Sequence, residues 1–340
     1  MRPVHINVER IAAVTRNNNV TDNPATQAPL LSAHGLWRRY DTHVAVRDLD
    51  IELTRGDVLG FLGPNGAGKS TTMQMLSGNL APSSGSISIA GIDLLEEPTL
   101  AKRRLGYLPE IPPLYPEMTL LEYLDFCGRL HGMQRKARQA AIERVTEQCD
   151  LGEMRHRLIG NLSKGYQQRV GIAQAVLHDP EVVILDEPTV GLDPIQIRDI
   201  RALIRQLGEQ HAVILSTHIL PEVQEVCSRV LIINHGRAVF ESSLADLAHG
   251  APNSVRISGS ALPDDDTLRS FDTVESIQRI GSDTVIVGLN GDPAALLETA
   301  VNSGWGIREF TPEQRTLEQV FVEITSRDVA STSHDVEDAA

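Results

Sequence analysis

The chain has 340 residues, room for one large domain and a smaller one, and a formal net charge of −14 from 31 Lys+Arg against 45 Asp+Glu. That acidity, with aromatics at only 4%, excludes a broad nucleic-acid-binding face and base-stacking platforms, so no nucleic-acid partner is expected. The three cysteines, at 127, 149 and 227, lack metal-ligand spacing and fit a reducing compartment; no apolar run reaches the roughly 18–20 residues that span a bilayer, and the start reads as lacking a secretory signal.

Residues 1–30 are polar, carry Asn17-Asn18-Asn19 and few large apolar groups, and read as a disordered arm. From Leu31 the chain reads as strands, with His34 and His43 on the surface. Asp57 to Leu62 is short and apolar enough for a buried strand. It runs straight into Gly63-Pro64-Asn65-Gly66-Ala67-Gly68-Lys69-Ser70-Thr71, and a helix-like stretch, Thr72 to Ser77, follows. Strand, glycine-rich loop ending in Gly-Lys-Ser, and helix, in that order, make a phosphate-binding loop. The glycines let the backbone wrap a phosphate with several N–H groups pointing inward, and the helix N-terminus adds partial positive charge. Lys69 brings a full charge to the outer phosphates of a nucleotide. The Ser70 hydroxyl suits Mg²⁺, and Thr71 reaches an inner phosphate.

Further along, Ser83 to Gly91 reads as a strand after a turn, and Ile111-Pro112-Pro113-Leu114-Tyr115-Pro116 is a rigid loop, because proline fixes φ and bars helix. Thr119 caps a helix through about His131, and a second helix runs from about Gln134 to Asp150 with Ala137, Ala141, Val145 and Cys149 in an apolar row. Ser163 opens a helix to about His178; its hydroxyl and the helix N-terminus can bind a phosphate. Val182 to Leu185 is an apolar strand ending in two carboxylates: Asp186 suits Mg²⁺, and Glu187 can orient and deprotonate an attacking water. Pro194 suits a first helical position after Asp193, with Ile200, Leu203, Ile204 and Leu207 along one face. The strand Ala212 to Leu215 leads into Ser216-Thr217-His218, and Val223, Val226, Cys227 and Val230 share a helical spacing. A hairpin over Asn234-His235-Gly236 follows. After Gly250, strand-like runs at 255–257, 274–280 and 284–289 interleave with a helix at 292–303. Leu317, Val320, Phe321 and Ile324 then mark an amphipathic helix that packs back.

Asn161-Leu162-Ser163-Lys164-Gly165-Tyr166-Gln167-Gln168-Arg169 resembles the signature of the ATP-binding-cassette (ABC) ATPases, in a variant form. Gly191-Leu192-Asp193-Pro194 resembles that family's D-loop and Ser216-Thr217-His218 its switch histidine. The resemblance covers about residues 33–245, and Thr316 to Phe321 is similar to the ending of exporter-type ATPases, in the drug-resistance and gliding-motility-like branch, whose permease is a separate chain. It implies an α/β fold: a P-loop NTPase core of ABC type at 31–248, an inserted helical subdomain at about 116–165, a small C-terminal α+β accessory domain at 249–326 and a disordered tail at 327–340.

The resemblance also implies roles. Tyr40 would stack on adenine, and Gly63 through Thr71 would hold the phosphates. Ser163, Gly165, Gln167 and Asp193 would meet a nucleotide sandwiched against a second subunit. Lys69, Glu187 and His218 would serve catalysis; Ser70, Asp186 and Glu110 would serve Mg²⁺. Glu110 stands where the family has Gln, and a carboxylate there would hold Mg²⁺ more firmly while repelling the γ-phosphate. ATP and Mg²⁺ are the implied cofactors. The implied partners are a separately encoded transmembrane permease, met by the proline-rich loop and the first subdomain helix, and a second copy or homologous ATPase. The implied place is the cytoplasm, peripheral on the inner face of the cell membrane through the permease. The function so read is an ATP-driven motor of a transporter, an exporter by its ending. An ABC ATPase regulating a membrane or envelope complex, and a soluble one acting on ribosomes, are the alternatives.

Overall fold

The computed structural model describes residues 28–249, 254–290, 293–313, 316–322 and 324. Of the expected arm only residues 28–30 are described, and the tail lies outside the described residues.

A six-stranded sheet runs in the order β10-β9-β3-β8-β7-β6. Its strands are β3 (Val58–Leu62), β6 (Leu105–Leu108), β7 (Val182–Asp186), β8 (Ala212–Thr217), β9 (Arg229–Asn234) and β10 (Arg237–Ser243). All pairings are parallel except β9 with β10, which form the expected hairpin. Both faces are covered, which is why these strands read as continuous apolar runs rather than alternating ones. Val182, Ile184, Ala212 and Ile214 face one core; Val183, Leu185, Val213 and Leu215 face the other.

The first core is closed by the helix Lys69–Leu76 and by an antiparallel sheet, β2-β1-β4-β5, made of β1 (Leu31–Tyr40), β2 (His43–Leu53), β4 (Ser84–Ile89) and β5 (Ile92–Asp93). The second is closed by the helices Leu120–Leu130, Arg135–Gln148, Lys164–Val176 and Pro194–Gly208. Thr119 forms a full capping box with Glu122: Glu122 N–H donates to the Thr119 hydroxyl, and Thr119 N–H donates to the Glu122 carboxylate at 2.8 Å. Ile200, Leu203, Ile204 and Leu207 are all buried, each contributing about 1.5–3 kcal/mol over an exposed position.

Two sequence expectations are corrected. The buried row of Arg135–Gln148 begins at Arg138, and Ala137 is exposed. Arg138 turns inward because its guanidinium pairs with Asp125 while its stem lies over Gly128, where a Cβ would come within 2.5 Å. The second concerns Val223, Val226, Cys227 and Val230, which do not share one helix. The helix Leu220–Val226 stops, Ser228 Oγ accepts from Val58 N–H at 3.0 Å, and the chain enters β9 at Arg229. Val230 is therefore a strand residue.

The C-terminal part forms a third sheet, β12-β13-β11-β14, from β11 (Ser254–Gly259), β12 (Val274–Arg279), β13 (Thr284–Leu289) and β14 (Ile307–Glu313). With the helices Asp265–Arg269 and Pro293–Asn302 it follows the β-α-β-β-α-β order of the ferredoxin-like arrangement. Neither Asp265–Arg269 nor β14 was anticipated. Val255, Ile257, Val285, Val287, Leu296 and Trp305 make its separate core. Residues 317–322, by contrast, leave that core: Leu317 and Val320 pack on Leu62, Val223, Val230 and Ile232 of the six-stranded sheet and its neighbouring helix. Among the described residues no helix is long and apolar enough to cross a membrane.

Candidate functional site

The carboxyl ends of β3, β7 and β8 lie side by side, and each releases one part of the site: Gly63 after Leu62, Glu187 after Asp186, and His218 after Thr217. Ligands of open parallel sheets bind at this edge. From Gly63 the chain loops to Gly68, which caps the helix Lys69–Leu76 at φ 108°. A side chain at Gly68 would also meet the Ala45 carbonyl at 2.6 Å, so glycine is required there twice over. No acidic residue lies in the first turn of that helix, which leaves its N-terminal N–H groups and dipole for an anion.

Around this loop lies a cleft of about 490 Å³ lined by Tyr40, His43, Ala45, Asn65, Gly66, Gly68, Lys69, Ser70, Thr71, Glu110, Glu187, Val190 and His218. Gly63, Pro64 and Ala67 complete the loop behind this surface. His43, Ala45 and Val190 were not anticipated as lining residues. The signal for His43 was the two-residue turn after Tyr40, since a hairpin there puts His43 directly opposite Tyr40. Tyr40 is half-exposed, with the Arg38 guanidinium carbon 4.5 Å from its ring centroid.

Lys69 is buried, and its ammonium donates to the Gly63 carbonyl at 2.8 Å and stands 3.8 Å from Glu187 Oε1. Glu187 has φ 48°, a left-handed conformation uncommon for a non-glycine residue, and its N–H is held by the Ser216 carbonyl at 2.9 Å. His218 Nδ1 lies 2.9 Å from both Glu187 carboxylate oxygens. With an ionised carboxylate as acceptor, Nδ1 carries the proton, and Nε2 is the ring atom left to face the cleft.

Asp186 is buried at the end of β7, and its Oδ1 has no hydrogen-bond partner. Burial pushes its carboxyl above the usual carboxylate range; the Ser216 hydroxyl and, less, Lys69 oppose this, while the charges of Glu187 and Glu110 add to it. An orphaned buried acceptor within the electrostatic reach of Lys69 of the phosphate loop fits a hard divalent cation. Among the described residues no cluster of three or more His, Cys, Asp or Glu side chains has metal-ligating geometry. Asp186 and Ser70 would thus hold Mg²⁺ together with phosphate oxygens rather than in an all-protein cage.

Asp186 lies behind the cleft lining, and Ser163, Gly165, Gln167 and Asp193 stand outside the cleft. Ser163 caps the helix Lys164–Val176, accepting from Tyr166 N–H at 3.4 Å. Gly165 lies under the Gln196 side chain, where a Cβ would approach to 2.5 Å. The Gln167 amide donates to the Ile159 and Leu162 carbonyls at 3.2 and 3.3 Å, and Asp193 caps the helix Pro194–Gly208 through Ile195 and Gln196 N–H.

Residues 46–190 match the ABC transporter family. The uncharacterized ABC transporter ATP-binding protein YxlF of Bacillus subtilis (strain 168) is 34% identical over 297 residues, covering 87% of this chain and 99% of that one. The Nod factor export ATP-binding protein I of Cupriavidus pinatubonensis is 31% identical over 90% of this chain and 93% of its own. A solved ATP-binding subunit of an ABC transporter superposes with a TM-score of 0.59 at 32% identity, over 64% of this chain and 91% of that one.

Proposed function

Because the chain belongs to the ABC transporter family as an ATP-binding subunit, and is an ABC ATPase, we propose that it drives an exporter whose permease is a separate chain. The export direction is supported by the similarity, over nearly the whole length, to a protein named for Nod factor export. The observation that carries the reading is the division of the nucleotide-binding parts within one chain. Tyr40, Lys69, Ser70, Glu110, Glu187 and His218 gather in one cleft, while Ser163, Gly165, Gln167 and Asp193 stand outside it. A nucleotide held by Lys69 thus needs a second copy, or a homologous ATPase, to supply a signature helix, and the two subunits close head-to-tail on two ATP molecules. The helix Lys164–Val176 is suited to that task, with no acidic residue in its first turn.

In this reading Tyr40 stacks on the base with Arg38 behind its ring, and the loop 63–71 holds the phosphates. Lys69 leaves the Gly63 carbonyl for the outer phosphate. Glu187 takes the proton of the attacking water, and His218 holds the Glu187 carboxylate with Nδ1 while Nε2 faces the γ-phosphate. Lys69 and the partner subunit's signature helix offset the charge that develops on the transferred group. Mg²⁺, when bound by Asp186 and Ser70 near Glu110, neutralises phosphate charge. Ile111 and Tyr115, exposed on the proline-rich loop, offer the permease an apolar contact, which would place the subunit on the cytoplasmic face of the membrane.

Co-purification from native membranes tests this, using tagged Glu187→Gln with MgATP and mass spectrometry of the bound chains. A stoichiometric polytopic membrane protein is the expected result. Ribosomal proteins, or soluble partners alone, would overturn the motor reading.

A further inference from the structure

Glu222, on the helix Leu220–Val226, is fully buried and does not line the nucleotide cleft. Each of its carboxylate oxygens is held by a different loop of the site. Thr189 donates its hydroxyl to Oε1, and Thr217 donates to Oε2 at 2.8 Å. The only cation nearby among the described contacts is Arg201, 3.8 Å from Oε1, itself paired with Glu225 at 2.6 Å.

Both threonines sit next to the residues that face the nucleotide. Thr217 precedes His218, and its hydroxyl also accepts from Ile219 N–H at 3.1 Å, so one side chain brackets the histidine from both directions along the backbone. Thr189 follows Glu187 by two residues, in the turn where Val190 N–H returns to the Glu187 carbonyl at 3.3 Å. The glutamate therefore ties together, from behind, the two loops whose tips carry the Glu187–His218 contact. Burying a carboxylate costs several kcal/mol more than an apolar side chain of the same shape unless it is well paired. The helix Leu220–Val226 otherwise buries the apolar Val223 and Val226, and the acid among them is matched by two hydroxyl donors and Arg201 rather than by apolar packing.

We propose that Glu222 is a positioning residue for ATP hydrolysis: through Thr189 and Thr217 it holds Glu187 and His218 in register across β7 and β8. It rests on the reading of Glu187 as the base. Loss of the link leaves the phosphate loop, Tyr40 and Lys69 intact, so nucleotide binding is spared while the chemical step slows. A shift of about an ångström at a reacting group is enough to cost about a hundredfold in rate.

The test measures kcat, KM for ATP and the thermal midpoint of the full chain carrying Glu222→Gln, Thr217→Val, Thr217→Ser or Glu187→Gln. Glu222→Gln and Thr217→Val are expected to lower kcat about ten- to a hundredfold with KM within about twofold of the parent. Thr217→Ser, which keeps the hydroxyl, recovers most of the loss seen in Thr217→Val. Combining Glu222→Gln with Thr217→Val adds little to the slower single change, because both break one link. An unchanged kcat in Glu222→Gln or Thr217→Val overturns the inference. So does a loss of kcat that follows the loss of folded, ATP-binding protein, which is what a merely structural role produces. If Glu187→Gln turns over at the parent rate, the underlying reading fails instead. If Glu187→Gln is inactive and Glu222→Gln is not, only the inference fails.

Discussion

His218 Nδ1 lies 2.9 Å from both carboxylate oxygens of Glu187, so the histidine proposed as the switch meets the proposed base directly. The carboxylate is held symmetrically between an imidazole and, at 3.8 Å, the Lys69 ammonium. Glu187→Gln keeps the shape and removes the proton acceptor. It is expected to bind ATP normally, to lower kcat on the order of 10²–10⁴-fold, and to accumulate as a closed dimer with MgATP. Phosphate release and size-exclusion chromatography with MgATP read both effects; normal turnover would rule Glu187 out as the base.

Lys69 is buried among carbonyls and one carboxylate, and its charge has no substitute in the phosphate loop. Lys69→Ala is expected to weaken ATP binding about 10–100-fold, the worth of a charge-assisted contact, and to abolish ATP-dependent dimerisation. Equilibrium binding of a fluorescent ATP analogue checks the first, and light scattering with MgATP checks the second.

Glu110 lines the cleft and adds negative charge at Asp186. Glu110→Gln removes that charge and is expected to raise the Mg²⁺ concentration for half-maximal hydrolysis several-fold, about the change expected from losing one nearby charge in a partly solvated site. A Mg²⁺ titration of ATPase rate that superposes on the parent's would show that Glu110 has no part in holding the ion.

His131 and His178 stack at 3.8 Å between ring centroids, joining the end of Leu120–Leu130 to the end of Lys164–Val176. His178 also contacts the Leu105 carbonyl at 3.1 Å. Burial, reinforced by His131, lowers His178 from 6.5 to about 4. The unfolded chain therefore binds the proton more tightly than the folded one between these values. Stability is fully present above pH 6.5 and falls as pH drops towards 4, by up to about 3 kcal/mol from this group. Urea midpoints at pH 7.5 and pH 5 measure the loss, and His178→Gln is expected to shrink the difference between them.

Local chemistry made much of this architecture legible. Thr119 with Glu122, Asp193 with Pro194, and the glycines around Lys69 each act on their own backbone, so their positions could be read without the rest of the chain. Residues whose orientation depends on a distant partner could not. Arg138 faces inward only because Asp125 waits on another helix, and Ala137 is displaced from the buried row as a result. Glu222 carried one weak signal, an acid among Leu220, Val223 and Val226, but its two hydroxyl donors lie 33 and 5 residues away. The signature residues are a different case. Ser163 and Gln167 spend their side chains on nearby backbone groups, and the nucleotide proposed to meet them is one held by a second subunit.

Leu317 and Val320 cover Leu62, Val223, Val230 and Ile232, although Leu62 and Leu317 lie far apart along the chain. During synthesis the apolar face behind the phosphate loop therefore stays wet until Leu317 and Val320 have emerged to cover it. A nascent or prematurely terminated chain, with its nucleotide cleft already complete, would still carry an adhesive strip that chaperones recognise. The short stretch around Leu317 and Val320 thus acts as a late seal, closing a face that the preceding chain leaves open.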